Sequence, residues 1–77
     1  MEVIRTHYAD GQLNEEYRLI NNKIEGLYKR YHTNGQLWVI CNYVDGKING
    51  EYKEYSEDGI LISHTLYEND VIIQTIL

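Results

Sequence analysis

A 24-residue repeat occupies nearly all of the 77-residue chain and constrains its fold more than any other feature. The chain divides without gaps into three blocks, residues 7–30, 31–54 and 55–77. The first two blocks are identical at eight of 24 aligned positions, where typical residue frequencies would give roughly one or two. The third block keeps five of 23 positions of the second and diverges over residues 71–77, as terminal repeats usually do. The sequence therefore predicts a single repeat domain that ends in an atypical cap strand.

Turn-forming dipeptides recur twice in each block. They are Asp10-Gly11, Asn21-Asn22, Asn34-Gly35, Asp45-Gly46, Asp58-Gly59 and Asn69-Asp70. Asp-Gly and Asn-Gly are strong hairpin signals because both residue types tolerate the positive φ of tight turns. The intervening segments are rich in Tyr, Ile, Val, Leu and Thr and are too short for useful helices. We expect an all-β antiparallel meander, a single twisted layer of about seven strands near residues 2–8, 12–20, 26–32, 36–43, 50–56, 60–67 and 71–77.

The turn at Asn34-Gly35 decides which side chains share a face, because a shift of one residue in register moves every side chain to the other face. A two-residue turn pairs Tyr31 with Trp38 and Tyr28 with Cys41. A three-residue loop closed by a left-handed Gly35 with a bulge pairs Tyr31 with Leu37 and Tyr28 with Ile40. We favour the second register, because it gathers apolar side chains on one drier face: Tyr31, Leu37, Val39, Cys41 and Tyr43, continued by Tyr55, Leu61 and Tyr67. The other face would then carry Tyr28, Trp38, Ile40, Tyr52 and Ile62.

The charge balance and the size of the chain exclude several functions. Seven Lys and Arg against twelve Asp and Glu give a net charge of -5, so the chain lacks the basic surface of a nucleic-acid binder. No stretch approaches the ~18 apolar residues of a membrane span, and the N-terminus lacks the pattern of a signal peptide. The lone Cys41 fits a reducing compartment, so we expect a cytoplasmic protein. A chain of 9.1 kDa has little room for a deep catalytic cleft.

The residues that usually carry catalysis show no grouping in the sequence. His7, His32 and His64 fall in variable repeat columns, and metal sites need clustered ligands. Cys41 is better interpreted as a small strand hydrophobe than as a nucleophile. The aspartates lie in turns, where carboxylates favour local backbone hydrogen bonds. We therefore expect a protein that is not an enzyme and has no cofactor, metal or catalytic residue.

The segment from Tyr31 to Tyr52 resembles the variant MORN repeat. It reads Tyr-x-x-Asn-Gly-Gln-Leu followed by Tyr-x-Asp-Gly-Lys-Ile-x-Gly-Glu-Tyr, and the resemblance extends over roughly residues 5–72. This is the form often described as a YwqK-like antitoxin of bacterial toxin-antitoxin systems. The resemblance implies stacked β-hairpins in a single-layer sheet, and a scaffold or interaction module that contacts proteins or membranes. The chain departs from the pattern at Asn22, where Gly is usual, and throughout 70–77.

Trp38 is the strongest candidate for a binding residue, because its equivalents in the other repeats, Asn14 and Ile62, do not resemble it. Trp and Tyr dominate interface hot spots, so we expect Trp38, Tyr28 and Tyr52 to dock a protein partner such as a toxin or defence protein. Core packing of Trp38 is the competing interpretation. Three other functions stay open: sequestration of a nucleotide-like ring by an oligomer, with Arg30 or Lys53 contacting an anionic group; a structural role through self-assembly; and acidic mimicry of nucleic acid.

The C-terminal segment is uncharged and β-prone, which is unusual for an exposed sheet edge. It contains Val71, Ile72, Ile73, Thr75 and Ile76. We expect homodimerisation through this strand, or burial of the strand against the sheet.

Overall fold

The computed structural model describes residues 1–77 and contains one antiparallel sheet. Its strands are β1 (Glu2–His7), β2 (Leu13–Ile20), β3 (Lys23–Ile24), β4 (Gly26–Tyr31), β5 (Leu37–Val44), β6 (Lys47–Tyr55), β7 (Leu61–Glu68) and β8 (Val71–Thr75). They are paired in the order β1-β2-β4-β5-β6-β7-β8, with β3 attached only to β2. The predicted all-β meander is therefore confirmed, with one short strand more than expected.

The additional strand β3 arises where the chain leaves the Asn21-Asn22 turn. Ile24 pairs back with Leu19 and Lys23 with Ile20, and the pairing then stops. Gly26 follows at a φ of 87°, a left-handed conformation that favours glycine, and it opens β4. The first block is therefore divided into three strands where two were expected.

The sheet is a single layer with a very thin core. Its principal extents are 36 × 33 × 12 Å, and only three residues, Val39, Cys41 and Thr65, are buried. No second layer covers either side of the sheet. Stability must come from strand pairing and from contacts between side chains on the same face.

The two ends of the strands use different turns. Asn21-Asn22, Asp45-Gly46 and Asn69-Asp70 have positive φ at both residues, as two-residue hairpin turns require. At the other end only the glycine of each dipeptide is left-handed, as in Gly35 at 88°. There Gly35 N–H donates to the carbonyl of His32 at 2.9 Å, and His32 N–H donates to the carbonyl of Gln36 at 2.8 Å. The predicted left-handed Gly35 is thus confirmed.

The register around Trp38 was predicted correctly at one end of the strand and wrongly at the other. Tyr31 pairs with Leu37, as expected, but Tyr28 pairs with Cys41 and not with Ile40. Arg30 pairs with Val39, so Trp38 is an extra residue in β5 that forms a β-bulge. The same shift occurs at Thr6/His7 and Glu54/Tyr55, which places Asn14 and Ile62 at equivalent bulges.

The bulge changes the composition of both faces. Tyr28 and Tyr52 share a face with Val39, Cys41 and Tyr43, because Tyr28, Cys41 and Tyr52 are successive partners across β4, β5 and β6. We call this side the tyrosine face. The pairs Tyr31–Leu37 and Tyr55–Leu61, which were predicted to lie beside Cys41, alternate instead onto the side that carries Ile40. We call that side the opposite face.

Candidate functional site

A row of tyrosines crosses the tyrosine face at right angles to the strands. Ring centroids lie 5.6 Å apart for Tyr17 and Tyr28, 5.9 Å for Tyr28 and Tyr43, and 5.7 Å for Tyr52 and Tyr67. Such separations are typical of favourable aromatic pairs. The ring contacts thus form two groups on one face, Tyr17–Tyr28–Tyr43 and Tyr52–Tyr67.

Two tyrosines of this row stand opposite glycines in the neighbouring strands. Gly26 is the cross-strand partner of Tyr43, and Gly50 is the partner of Tyr67. Both glycines have positive φ, 87° and 104°. A Cβ atom built on Gly26 would meet the Arg18 guanidinium, and one built on Gly50 would approach Asn42, so neither would point at the tyrosine opposite. Glycine is favoured at both positions by its left-handed backbone, and each Gly–Tyr pair recurs one repeat later.

The tyrosine row covers a dry strip of the sheet. Cys41 is 2% exposed, and burial raises the pKa of its thiol to about 11. Burial, followed by a hydrogen bond to Glu15, raises the pKa of Tyr28, whose hydroxyl donates to Glu15 Oε2. Burial also raises the pKa values of Tyr43 and Tyr52. A thiol held in its protonated form is a poor nucleophile, and these phenols stay neutral at physiological pH.

Trp38 lies beside this row, where the sheet bulges. The Arg30 guanidinium carbon is 4.6 Å from the centre of the indole ring, which is a cation–π distance. The His32 ring stacks on the indole at 4.8 Å, and Trp38 Nε1 donates to Glu54 Oε2 at 3.2 Å. Arg30 Nε is buried without a hydrogen-bond partner. We call Arg30, His32, Trp38 and Glu54 the Trp38 cluster.

The structure brings four of the five predicted binding residues to one face. Trp38, Tyr28, Tyr52 and Arg30 all lie on the tyrosine face. Lys53 alternates with Tyr52 and lies on the opposite face, where its Nζ is 3.3 Å from Glu51 Oε2. A ligand seated on the aromatic residues would therefore meet the cation of Arg30 and not that of Lys53.

Sequence reasoning missed several members of this site. The predicted register places Tyr43 and Tyr67 on the other side from Tyr28, and the sequence pattern does not predict Tyr17, Glu15 or Glu54 as members of the site. The repeat gave a signal for Tyr43 and Tyr67, since each stands opposite a conserved glycine column of the repeat. Tyr17 had no such signal, because its equivalents are Cys41 and Thr65.

The predicted edge segment forms β8, which has a paired inner side and a free outer side. It pairs with β7 through Thr75, Gln74, Ile72 and Val71. All five residues of Val71–Thr75 are exposed, with Ile72 at 55% and Ile73 at 59%. The strand extends the sheet and is not folded back over it. Its outer backbone edge has no partner strand within the chain.

Two arrangements that would define other kinds of site do not occur in the structure. No three His, Cys, Asp or Glu side chains are grouped to hold a metal ion. The structure has no helix that is long and apolar enough to cross a membrane.

Hairpins, turns and bulges recur at equivalent positions of successive repeats, so the chain is a β-hairpin repeat protein. The profile of the family described as "MORN repeat variant" matches residues 24–45 and 48–69, more than half of the chain. The chain therefore belongs to the MORN repeat variant family, whose repeats are non-enzymatic modules that generally bind proteins or membranes. No curated protein and no solved structure gives a significant match.

Proposed function

We propose that this protein is a non-enzymatic binding module that docks a protein partner on the tyrosine face, with Trp38 as its anchor. The observation that carries the proposal is an aromatic stripe that no second layer covers in a sheet only 12 Å thick. The tyrosines of the row and Trp38 are half-buried, so each still presents part of its ring to a partner, and Trp and Tyr are the residue types enriched in interface hot spots. The antitoxin-like function implied by the resemblance is the case in which the partner is a toxin.

The Trp38 cluster supports an anchor role more than a packing role. Trp38 is only partly buried, while Val39 next to it in the chain is 8% exposed. Its indole is held in place by Arg30, His32 and Glu54, so little side-chain entropy is lost when a partner covers it. A fixed aromatic group of this kind is well suited to bind.

The test compares Trp38→Ala with Ile62→Ala, which truncates the residue at the equivalent bulge one repeat later. Tagged wild-type protein and both variants are used to capture partners from the native host after nuclease treatment, and each captured protein is then purified and titrated by calorimetry. We expect Trp38→Ala to weaken binding at least tenfold and Ile62→Ala to weaken it less than threefold. Equal binding by the three folded proteins would refute an anchor at Trp38.

Trp38 also provides a direct report of where the partner binds, because it is the single tryptophan of the chain. A tryptophan-free fragment or a fluorotryptophan-labelled form of the partner should change the emission of Trp38 on binding. Saturable binding with no change in Trp38 emission would place the partner elsewhere. If the captured partner is a toxin, coexpression with wild-type protein should restore growth and coexpression with Trp38→Ala should not.

Self-assembly through β8 is a second candidate function, favoured by the uncharged and exposed free edge of that strand. Two copies can pair β8 with β8 in an antiparallel, two-fold arrangement that satisfies the outer backbone groups of both. The β1 edge at the other side of the sheet carries Glu2 and Arg5, which protect an edge from pairing. We expect a dimer in sedimentation equilibrium that Ile73→Lys dissociates and Ile60→Lys, an exposed turn substitution, does not. A wild-type monomer at high micromolar concentration would refute it.

A further inference from the structure

The opposite face carries two clefts that are repeat equivalents of one another. The first, of about 280 Å³, lies between β1, β2 and β4 and is lined chiefly by Val3, Arg5, Glu16, Arg18, Leu27 and Lys29. The second, of about 300 Å³, lies between β4, β5 and β6 and is lined by Leu27, Ile40, Asn42, Glu51 and Lys53. Adding 24 to the residue numbers of the first cleft gives lining residues of the second, except at Arg5, whose equivalent Lys29 does not line it. Val3 corresponds to Leu27, Glu16 to Ile40, Arg18 to Asn42, Leu27 to Glu51 and Lys29 to Lys53.

The first cleft opens where β2 and β4 separate. These strands pair only at Glu15–Arg30 and Glu16–Lys29, because β3 occupies the far end of β2. Beyond that point the side chains of Arg18 and Leu27 flank an open space. The guanidinium of Arg18 lies directly over Gly26, at a position that a Cβ atom would occupy.

The two clefts differ in charge. The first holds three cations and one carboxylate, and the single ion pair within it joins Arg5 Nε to Glu16 Oε2 at 2.8 Å. Arg18 and Lys29 form no ion pair. In the second cleft the Lys53 ammonium is paired with Glu51, and Asn42 replaces the arginine. A positive site thus stands in a chain whose net charge is -5.

Exposed aliphatic side chains border the two free cations. Val3 is 45% exposed and Leu27 is 50% exposed. Lys29 is the cross-strand partner of Glu16, and Arg18 lies two residues further along β2 on the same face, so the two cations flank the point where β2 and β4 separate. Side chains two residues apart on an extended peptide lie on the same side of its backbone, so two such carboxylates can both face the cleft.

We propose that the first cleft binds an extended acidic segment of a protein, with alternate carboxylates on Arg18 and Lys29 and an aliphatic side chain against Val3 and Leu27. Charge complementarity selects the carboxylates, and the apolar rim selects a peptide over a hydrophilic anion. A nucleic-acid strand is disfavoured, because its closely spaced phosphates would meet only two free cations on a chain of net charge -5. This surface is separate from the tyrosine face, so both can be occupied together.

The test measures fluorescence anisotropy of a fluorescein-labelled, capped Ser-Glu-Ser-Glu-Ser-Leu-Ser peptide titrated with the full chain. We expect saturable binding that weakens at least tenfold when both glutamates of the peptide are replaced by glutamine. Arg18→Gln and Lys29→Gln should each weaken binding by a similar factor. Lys53→Gln, in the equivalent cleft, is the matched control and should change the affinity less than twofold. Far-UV circular dichroism establishes that each variant is folded.

Four outcomes would overturn the proposal. The first three are no saturation with the acidic peptide, equal binding of its glutamine form, and an equal loss of affinity in Lys53→Gln. The fourth is that inorganic phosphate or a short oligonucleotide competes as effectively as unlabelled peptide. The last would reassign the cleft to a phosphate ligand. Trp38→Ala is expected to leave peptide binding unchanged, so failure at this cleft and failure of the tyrosine face are distinguishable.

Discussion

The hydroxyl of Tyr8 donates a 2.6 Å hydrogen bond to the backbone carbonyl of Tyr31 in the next repeat. His32, which occupies the Tyr8 position one repeat later, places its Nε2 2.7 Å from the carbonyl oxygen of Tyr55. A tyrosine and a histidine thus make the same link between successive repeats. Ser56, the third residue of this column, has its hydroxyl 3.2 Å from the N–H of Ile60 within its own turn.

Tyr8→Phe should destabilise the protein by about 1 kcal/mol, because it leaves the part-buried carbonyl of Tyr31 without this donor. Urea denaturation followed by circular dichroism measures the change. Tyr67→Phe is the control, since the Tyr67 hydroxyl makes no hydrogen bond within the chain. This variant should lose less than half as much free energy of unfolding as Tyr8→Phe. Equal losses would show that the hydroxyl of Tyr8 does not link the repeats.

Asn22 has a φ of 64°, which explains how asparagine replaces the glycine that is usual at this turn. Asparagine tolerates the left-handed region, whereas alanine is strained there by roughly 1–2 kcal/mol. We expect Asn22→Gly to leave the free energy of unfolding within a few tenths of a kcal/mol of wild type, and Asn22→Ala to lower it by about 1 kcal/mol. Urea midpoints of the two variants decide this. Similar values for both would contradict a left-handed turn at Asn22.

Gly26→Ala should weaken both the fold and the proposed acidic-peptide site. The added Cβ meets the guanidinium of Arg18, which is flexible and can move, but the φ of 87° remains strained for alanine. We expect a loss of about 1 kcal/mol in stability. The displaced Arg18 should also lower the affinity for the glutamate peptide severalfold. Gly11→Ala, which has a similar φ of 91° and open space around its Cβ, is the control and should leave peptide binding unchanged.

The free energy of unfolding should fall as the pH rises above 9. Burial raises the pKa of the Cys41 thiol from 9.0 to about 11, so between these values the unfolded chain releases a proton that the folded chain retains. The raised pKa values of Tyr28, Tyr43 and Tyr52 extend the loss above pH 10. We expect the urea midpoint to be lower at pH 10 than at pH 8.

Cys41→Ala separates the contribution of the thiol from that of the tyrosines. The variant should be less stable at pH 8, because it leaves a cavity, but its decline between pH 9 and pH 10 should be shallower than that of the wild type. Ellman's reagent provides a second readout, since the native thiol should react much more slowly than the thiol in urea. Parallel pH profiles of the two proteins would contradict this assignment.

The sequence predicted the meander well because its signals are local. Each turn dipeptide fixes a reversal of the chain by its own φ preferences, as at Asn34-Gly35, and the 24-residue period repeats the pattern. The bulge at Trp38 has no local signal, since Asn14, Trp38 and Ile62 share no property that marks an extra residue. Because the sequence does not predict this extra bulge residue, the predicted register places Tyr28 and Tyr52 on the wrong side of the sheet relative to Cys41.

The repeat indicates candidate site residues in two ways. Tyr28 and Tyr52 are identical equivalents in successive repeats, whereas Trp38 stands out because its equivalents, Asn14 and Ile62, differ from it. Arg18 likewise differs from its repeat equivalents, Asn42 and Leu66, but its significance depends on the separation of β2 from β4, which follows from the two-residue strand β3. A strand that short leaves almost no trace in the sequence.

The single layer has a consequence for how the molecule opens. With a core of three residues, each strand is held mainly by its immediate neighbours, so the cost of opening rises from the outer strands towards β5 and β6. Amide hydrogen exchange should follow that gradient, fastest in β8 and slowest around Cys41. The native state is then an ensemble in which the outer hairpins open and close while the central hairpins remain folded.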